Sequence, residues 1–382
     1  MKKITLLIIS ALSSLTLISC SADKNSSYTN SNEIFNNWYD VTMDDSAIYS
    51  DTTFIASIIE YETMETGLLC NIPNCSHSNS ECLVNILKNS SQLPIIYNNC
   101  AYYFINFSSY KEVDGKTTLD LKTQVQKYDF NNRTITNVAE IEGANANDSD
   151  GCYLIGSDYY FTTNYGNPTY DELGNVSSSK GGGGGNLFSV NLENGKVTDY
   201  GEIFDYEKLK TTYPAARNST SMYLMGKIDN ELYIRVSYVK DEVTDEMMMN
   251  GINPLWYGST YTFDLNTHEF EKRDDTFSLC YMNGYHVYLS ENSDSKLMIE
   301  NIETGEVYDG PETFAYNAVT VFDDKLWYES KCYDIKSGTE KMISDLDYAH
   351  VIAKYKDDYI IKGEGSNSQP KFEKLSKDSI AN

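Results

Sequence analysis

Apolar and polar positions along this chain alternate in short runs instead of falling into helical stripes. An apolar run, a two-residue polar turn and an aromatic-bearing strand recur as LPIIYNNCAYYFI from residue 93, YLIGSDYYFTT from 153, MYLMGKIDNELYIRV from 222, SLCYMNGYHVYLS from 278, AVTVFDDKLWYES from 318 and VIAKYKDDYIIKG from 351. Alternation over this length marks strands, and Asn, Asp or Gly at the break marks a tight hairpin turn. A second phrase follows most of these, an apolar-aromatic strand running through a polar turn into a short closing strand. VQKYDFNNRTITNVAEI, NLFSVNLENGKVTDYGEI, YTFDLNTHEFEKRD, MIENIETGEVYDG, KCYDIKSGTEKMIS and KFEKLSKDSI are copies.

Two successive hairpins predict a four-stranded antiparallel unit that cannot bury both faces alone. Repeated units of this kind predict an all-β chain built as a β-propeller. WYDVTMDDSAIYS with IIEYETMETGLLC, residues 38–70, supplies a further unit at the N-terminal side. The count is then seven, at about 50 residues per unit, the spacing of kelch-like repeats; six or eight blades are the alternatives. Helix is expected only in short insertions, SECLVNILKNS near 80 and FDYEKLKTTY near 204.

Composition agrees with strands. There are 32 tyrosines and 14 phenylalanines, residues that pack well on a pleated surface. The formal charge of -26, with arginine only at 133, 217, 235 and 273, excludes a nucleic-acid partner, which would need clustered cations. Such a surface repels anionic polymers.

The chain opens MKKITLLIISALSSLTLISC. Two lysines precede an apolar run shorter than the roughly 20 residues of a membrane span, so residues 1–19 read as a signal peptide. The ending Leu17-Ile18-Ser19-Cys20 resembles the lipobox of bacterial lipoproteins, which implies cleavage before Cys20 and lipidation of that residue. Residues 20–33, rich in Ser and Asn, then read as a flexible tether. Residues 34–382 are left for a single propeller domain with a Cys/His-rich insertion at 70–91. The expected place is the extracytoplasmic face of the cell membrane, held by lipid, as a monomer.

The lipobox, the Tyr-rich double hairpins, phrases such as ETGLLC and NLENGKV, and the insertion CNIPNCSHSNSEC together resemble the β-propeller lipoproteins of Gram-positive anaerobic bacteria. A broader similarity is to TolB-type propellers. The resemblance implies a surface propeller and no particular substrate, since fold does not fix function.

CNIPNCSHSNSEC is the densest chemistry in the chain. Cys70, Cys75, His77 and Cys82 make a Cys3His set, enough for a saturated tetrahedral zinc site within one loop. Outside the membrane the same thiols could instead pair as disulfides, with Cys100 as a further partner. With Cys20 lipidated, seven cysteines remain, an odd number that cannot all pair internally. Cys152, Cys280 and Cys332, scattered in strand patterns, fit buried free thiols. No cofactor besides a structural zinc is indicated.

Two other stretches draw attention. NPTYDELGNVSSSKGGGGGN, 167–186, lacks the ending of a phosphate loop and reads as a flexible excursion. VKDEVTDEMMMNGINPLWYGSTY, 239–261, places Met247, Met248, Met249, Trp256 and Tyr257 in and beside one long loop, an adaptable apolar surface suited to ligand or partner contact. Catalytic signatures are absent: His268, His286 and His350 stand apart from one another in sequence, and the acid pairs Asp44-Asp45, Asp274-Asp275, Asp323-Asp324 and Asp357-Asp358 fall where turns are expected. The expected function is binding of a peptide, glycan or partner protein. The alternative is a carbohydrate-active hydrolase or lyase with its site in the axial funnel.

Overall fold

The computed structural model describes residues 33–380 apart from 37–39, 51–54, 73–74, 89, 91–92, 114–115, 147–150, 165–166, 171–175, 181–184, 219, 241–255, 291–295, 314–318 and 366–368. The signal peptide, Cys20, most of the tether and Met247 to Met249 lie outside the described residues.

Seven antiparallel blades follow one another along the chain. Blade I holds Asp40–Thr42, Ser46–Ser50, Ala56–Glu60 and Thr66–Leu68, and blade II holds Ile95–Tyr97, Cys100–Val113, Lys116–Asp129 and Thr134–Glu142. Cys152–Ile155, Asp158–Asn164, Asn186–Asn191 and Val197–Glu202 make blade III; Ser221–Ile228, Glu231–Val239, Trp256–Asp264 and Phe270–Asp274 make blade IV. Blade V (Ser278–Met282, Tyr285–Leu289, Lys296–Asn301, Val307–Glu312) and blade VI (Thr320–Phe322, Lys325–Tyr328, Lys331–Asp334, Thr339–Met342) repeat the pattern. Blade VII has three strands among the described residues, Asp347–Tyr355, Asp358–Glu364 and Pro370–Ser376, after which KDSI turns once as a 3-10 helix instead of closing a hairpin. Both short helices expected from sequence are present, α1 at Leu83–Leu87 and α2 at Tyr206–Thr212.

Turn chemistry explains why the repeat is legible. The first hairpin of blades II to VII turns through left-handed residues, among them Asn98, Asn99, Gly156, Asp229, Asn283 and Asp323, conformations that Asn, Asp and Gly tolerate best. The second hairpin uses one device throughout: residue i accepts the backbone N–H of residue i+4, which is left-handed. Asp129/Arg133, Asn191/Gly195, Asp264/His268, Asn301/Gly305 and Asp334/Gly338 are copies, and Glu60/Met64 is a sixth. In the first five the side-chain oxygen at i also accepts N–H groups inside the turn, an Asx turn. Asp323 and Asp324 tie neighbouring blades as well, accepting the Tyr359 and Tyr285 hydroxyls at 2.7 and 2.8 Å. Asp274-Asp275 departs from the turn expectation, standing at the end of the last strand of blade IV.

Apolar clusters fill most seams between blades. One runs through blades I, II and III, another joins III to IV, and others join V to VI, VI to VII and VII to I. A further strand, Glu33–Asn36, stands outside the blade pattern. It pairs with the innermost strand of blade III (Glu33↔Ile155 to Asn36↔Cys152) and with the innermost strand of blade I (Phe35↔Thr42), so backbone occupies the axial side of these blades.

No described strand of blade VII pairs with one of blade I, so side chains close the ring. Ala47, Tyr49, Ile59 and Tyr61 meet Ile352, Ala353 and Ile360. Beside them the fully buried Asp40 receives Lys362 Nζ at 2.6 Å, with His350 Nε2 at 3.8 Å. Burial pushes the Asp40 carboxyl up, but Lys362 and His350 outweigh it and hold the group below its ordinary value. A depressed carboxylate stabilises the fold above its unfolded pKa, about 4, and that contribution is lost as pH falls below it. Lys362→Met, which strands a buried carboxylate, is expected to cost about 3–5 kcal/mol in denaturant unfolding at neutral pH; a loss under 1 kcal/mol would show that the pair does not hold this seam.

Candidate functional site

The Cys/His loop crosses from the outer strand of blade I to the inner strand of blade II. Leu69 N–H donates to Ala56 O and anchors its start, while α1 begins directly after Cys82 and buries Leu83 and Leu87 in the cluster of blades I to III. Between these points the loop docks on blade II through polar bonds. Asn71 Nδ2 donates to Phe130 O at 2.5 Å, and the Tyr128 hydroxyl lies 2.9 Å from Glu81 O and 3.2 Å from Asn71 Oδ1. His77 takes a left-handed φ of 56°, reversing the chain so that its ring returns to Cys82.

The four side chains expected as ligands come together. One ligand atom from each of Cys70, Cys75, His77 and Cys82 lies within 4.8 Å of all the others. His77 Nδ1 is 3.4 Å from Cys82 Sγ, and Cys82 Sγ is 3.5 Å from Cys70 Sγ. Cys82 is buried and the other three are half-buried. Burial pushes the Cys70 thiol up to about 12; at Cys75 burial acts the same way, but the His77 N–H and the neighbouring thiols outweigh it and leave that thiol below its ordinary value. All seven described cysteines are free thiols. Cys100 belongs to the core of blade II and is not one of the group. Cys152, Cys280 and Cys332 are buried within strands. The group has the geometry and the donors to hold a metal ion such as zinc.

A second feature lies on blade IV. Tyr238 and Tyr257 are cross-strand partners, and their rings stack at 6.4 Å; Tyr213, just after α2, stacks on Tyr238 at 5.6 Å. Lys240 Nζ sits 3.9 Å over the Tyr257 ring. Trp256, next along the strand, is 43% exposed. These aromatics flank both ends of the 241–255 insertion.

The seam between blades IV and V is different in kind from the other six, and sequence reading missed it. Ser278 Oγ is 2.8 Å from His286 Nε2, and His286 Nδ1 is 3.1 Å from Glu300 Oε2. Since a carboxylate only accepts, Nδ1 carries the proton and Nε2 accepts from Ser278. Arg273 reaches the same Glu300 oxygen at 3.0 Å. Tyr233, Tyr281, His286 and Tyr288 stack in series, with centroids 3.9, 4.2 and 4.6 Å apart. Gly226 lets the blades approach: its φ is 149°, and a Cβ there would lie 2.1 Å from Tyr281 O. The Ser-His-Glu order is that of a hydrolytic triad, but Ser278 is 0% and His286 1% exposed, so substrate cannot reach it. The signal in sequence was His286 alternating with Tyr288, which put it on the packed face where a buried imidazole needs partners. His268 instead forms a turn, and His350 faces Asp40.

Fold and sites thus define a seven-bladed β-propeller carrying a metal-competent Cys3His loop and an aromatic rim on blade IV. No protein-family model and no curated protein matches the chain. Among solved structures it is similar to the β-propeller domain of the Trilobed protease from Pyrococcus furiosus, at 9% identity and a TM-score of 0.42, covering 91% of this chain and 93% of that one. It is also similar to an oligogalacturonate lyase in complex with manganese (8%, TM-score 0.41, 92% of each chain) and to Sqt1 of Saccharomyces cerevisiae (7%, TM-score 0.38, 87% and 93%). Likeness at this level carries no activity across.

Burial holds the His286 imidazole below its ordinary pKa, although Glu300 pulls the other way. The unfolded chain therefore takes up a proton first as pH falls through about 6.5, so this residue's contribution is full above that pH and diminishes below it. His286→Gln is expected to flatten the fall in melting temperature between about pH 7.5 and 5.5, and His286→Leu to cost about 1–3 kcal/mol at neutral pH. Unchanged pH profiles in calorimetry would refute the assignment.

Proposed function

We propose that this chain is a lipid-anchored, extracytoplasmic β-propeller that binds polypeptide at the rim of blade IV. The observation that carries the reading is the stacked Tyr213, Tyr238 and Tyr257 with exposed Trp256 beside them. Rigid aromatic anchors supply most of the energy in protein recognition, and Met247, Met248 and Met249 in the adjoining insertion add a surface that adapts to different side chains. A charge of -26 favours neutral or basic segments over anionic polymers. The lipobox-like Leu17 to Cys20 supports attachment through Cys20 and a place outside the cytoplasm. In this reading the Cys3His group holds zinc as a structural part, because four protein donors leave no open position for a reaction.

The competing reading is a carbohydrate-active hydrolase or lyase in the axial funnel. Against it stands the strand Glu33–Asn36, which lines the axial side of blades I and III with backbone, and the sealing of the Ser278–His286–Glu300 chain.

The test uses the mature, lipid-bearing protein in detergent against peptide and glycan arrays. Trp256→Ala with Tyr257→Ala is expected to weaken binding to the selected peptides at least tenfold, about 1.4 kcal/mol or more, with melting temperature unchanged. Cys20→Ala is expected to move the protein from the membrane to the soluble fraction. Glycan hits alone, or peptide binding indifferent to the double variant, would sink the proposal.

A further inference from the structure

We propose that Cys70, Cys75, His77 and Cys82 bind one zinc ion in a closed tetrahedral shell, and that this ion fixes the crossover between blades I and II. The inference deepens the structural reading of this group and is independent of what the blade IV rim binds.

Geometry is the first support. With Zn–S near 2.3 Å and Zn–N near 2.0 Å, a tetrahedral shell sets its ligand atoms roughly 3.5–3.8 Å apart. Two separations, 3.4 Å for His77 Nδ1 to Cys82 Sγ and 3.5 Å for Cys82 Sγ to Cys70 Sγ, are close to that shell. A disulfide needs about 2.05 Å. It would also use two sulfurs and leave a thiol and an imidazole crowded against it without a task.

The second support is how the sulfurs are presented. A structural free cysteine behaves as a small apolar residue, as Cys152 does in the core of blade III. In the loop Cys75 Sγ instead receives the His77 backbone N–H at 3.3 Å, and the Cys82 and Cys70 sulfurs face each other at 3.5 Å. An amide aimed at sulfur favours the thiolate form that a metal takes. Three thiolates so close repel one another unless a cation stands between them, and soft sulfur with one imidazole selects zinc over the hard cations.

The third support is what the loop lacks. From Cys70 to Glu81 no residue with a described side chain belongs to the buried core, and its attachments to blade II are the polar bonds of Asn71 and Glu81. Both lie next to ligands, at Cys70 and Cys82. An ion holding those ligands would therefore also hold the docking bonds, joining the end of blade I to α1 and blade II.

The full-length protein, purified anaerobically without chelator, is expected to carry one zinc per chain by elemental analysis. Its cobalt(II)-substituted form is expected to show thiolate charge-transfer bands and strong tetrahedral d–d bands. Cys75→Ser and His77→Ala should each weaken zinc binding by roughly 100-fold or more. Hydrogen-exchange protection should then fall between residues 69 and 94 and persist in blades III to VI. Weak octahedral cobalt bands would overturn the proposal, as would a Cys70–Cys82 disulfide in a non-reducing peptide map or full zinc in a protein carrying both Cys75→Ser and His77→Ala. The cobalt spectrum of the unaltered protein decides the matter if the variants do not fold. Trp256→Ala should keep its zinc, so failure at the rim and failure at the metal are read separately.

Discussion

The ring depends on a seam that no described strand crosses. Blades I and VII come from opposite ends of the chain, and what joins them is an apolar patch and a carboxylate taken wholly out of water. A buried ion pair adds little net stability over apolar residues of the same shape, but removing one partner is severe. Its effect is therefore specificity: Asp40 accepts blade VII only in the register that delivers Lys362, whose cross-strand partner is His350. Tyr355 donates to Glu62 at 3.0 Å on the surface of the same seam, where solvent screens the gain. Closure made of side chains can be adjusted without rebuilding a sheet, and it leaves Glu33–Asn36 available for the axis.

Local chemistry was legible in the sequence, and long-range pairing was not. The double hairpins could be read because each turn demands particular residues: Asn98-Asn99 and Asn283-Gly284 tolerate left-handed backbone, and Asp or Asn at the first position of the second turn captures amides within four residues. Period and turn type follow from neighbours in sequence, so seven units were countable. Glu33–Asn36 carries no turn signal and pairs with strands close by and more than a hundred residues away, which alternation cannot show. The last blade, three-stranded among the described residues, was equally hidden, because KFEKLSKDSI has the composition of a closing hairpin and ends in a single tight turn.

The candidate sites divide in the same way. Four ligands inside one short loop were visible as a set, since their meeting needs only that loop to turn at His77. Spacing alone left zinc and disulfide open; the fold adds that all four side chains meet. The Ser278, His286 and Glu300 chain spans three strands, and its histidine looked isolated because its partners are eight and fourteen residues away. Strand register makes them neighbours: His286 faces Tyr281 on one side and Glu300 on the other. A polar network buried this way is costly unless every member is satisfied, and it fixes blade V on blade IV more specifically than an aliphatic cluster would.

Antiparallel connectivity also sorts the loops. In every four-stranded blade the first and last hairpin turns point to one rim, while the middle connection and the crossover to the next blade point to the other. The short left-handed turns consequently share one rim. The long ribbon of blade II beyond residue 106, the 165–185 excursion and the 241–255 insertion all leave from the opposite one. Insertions accumulate where they do not disturb blade packing. Trp256, Tyr257 and Tyr213 stand on that rim as part of the blade and its crossover, with rings held by stacking. Anchors fixed to a sheet lose little entropy on binding. That rigidity is the physical reason for the proposal to put recognition at blade IV.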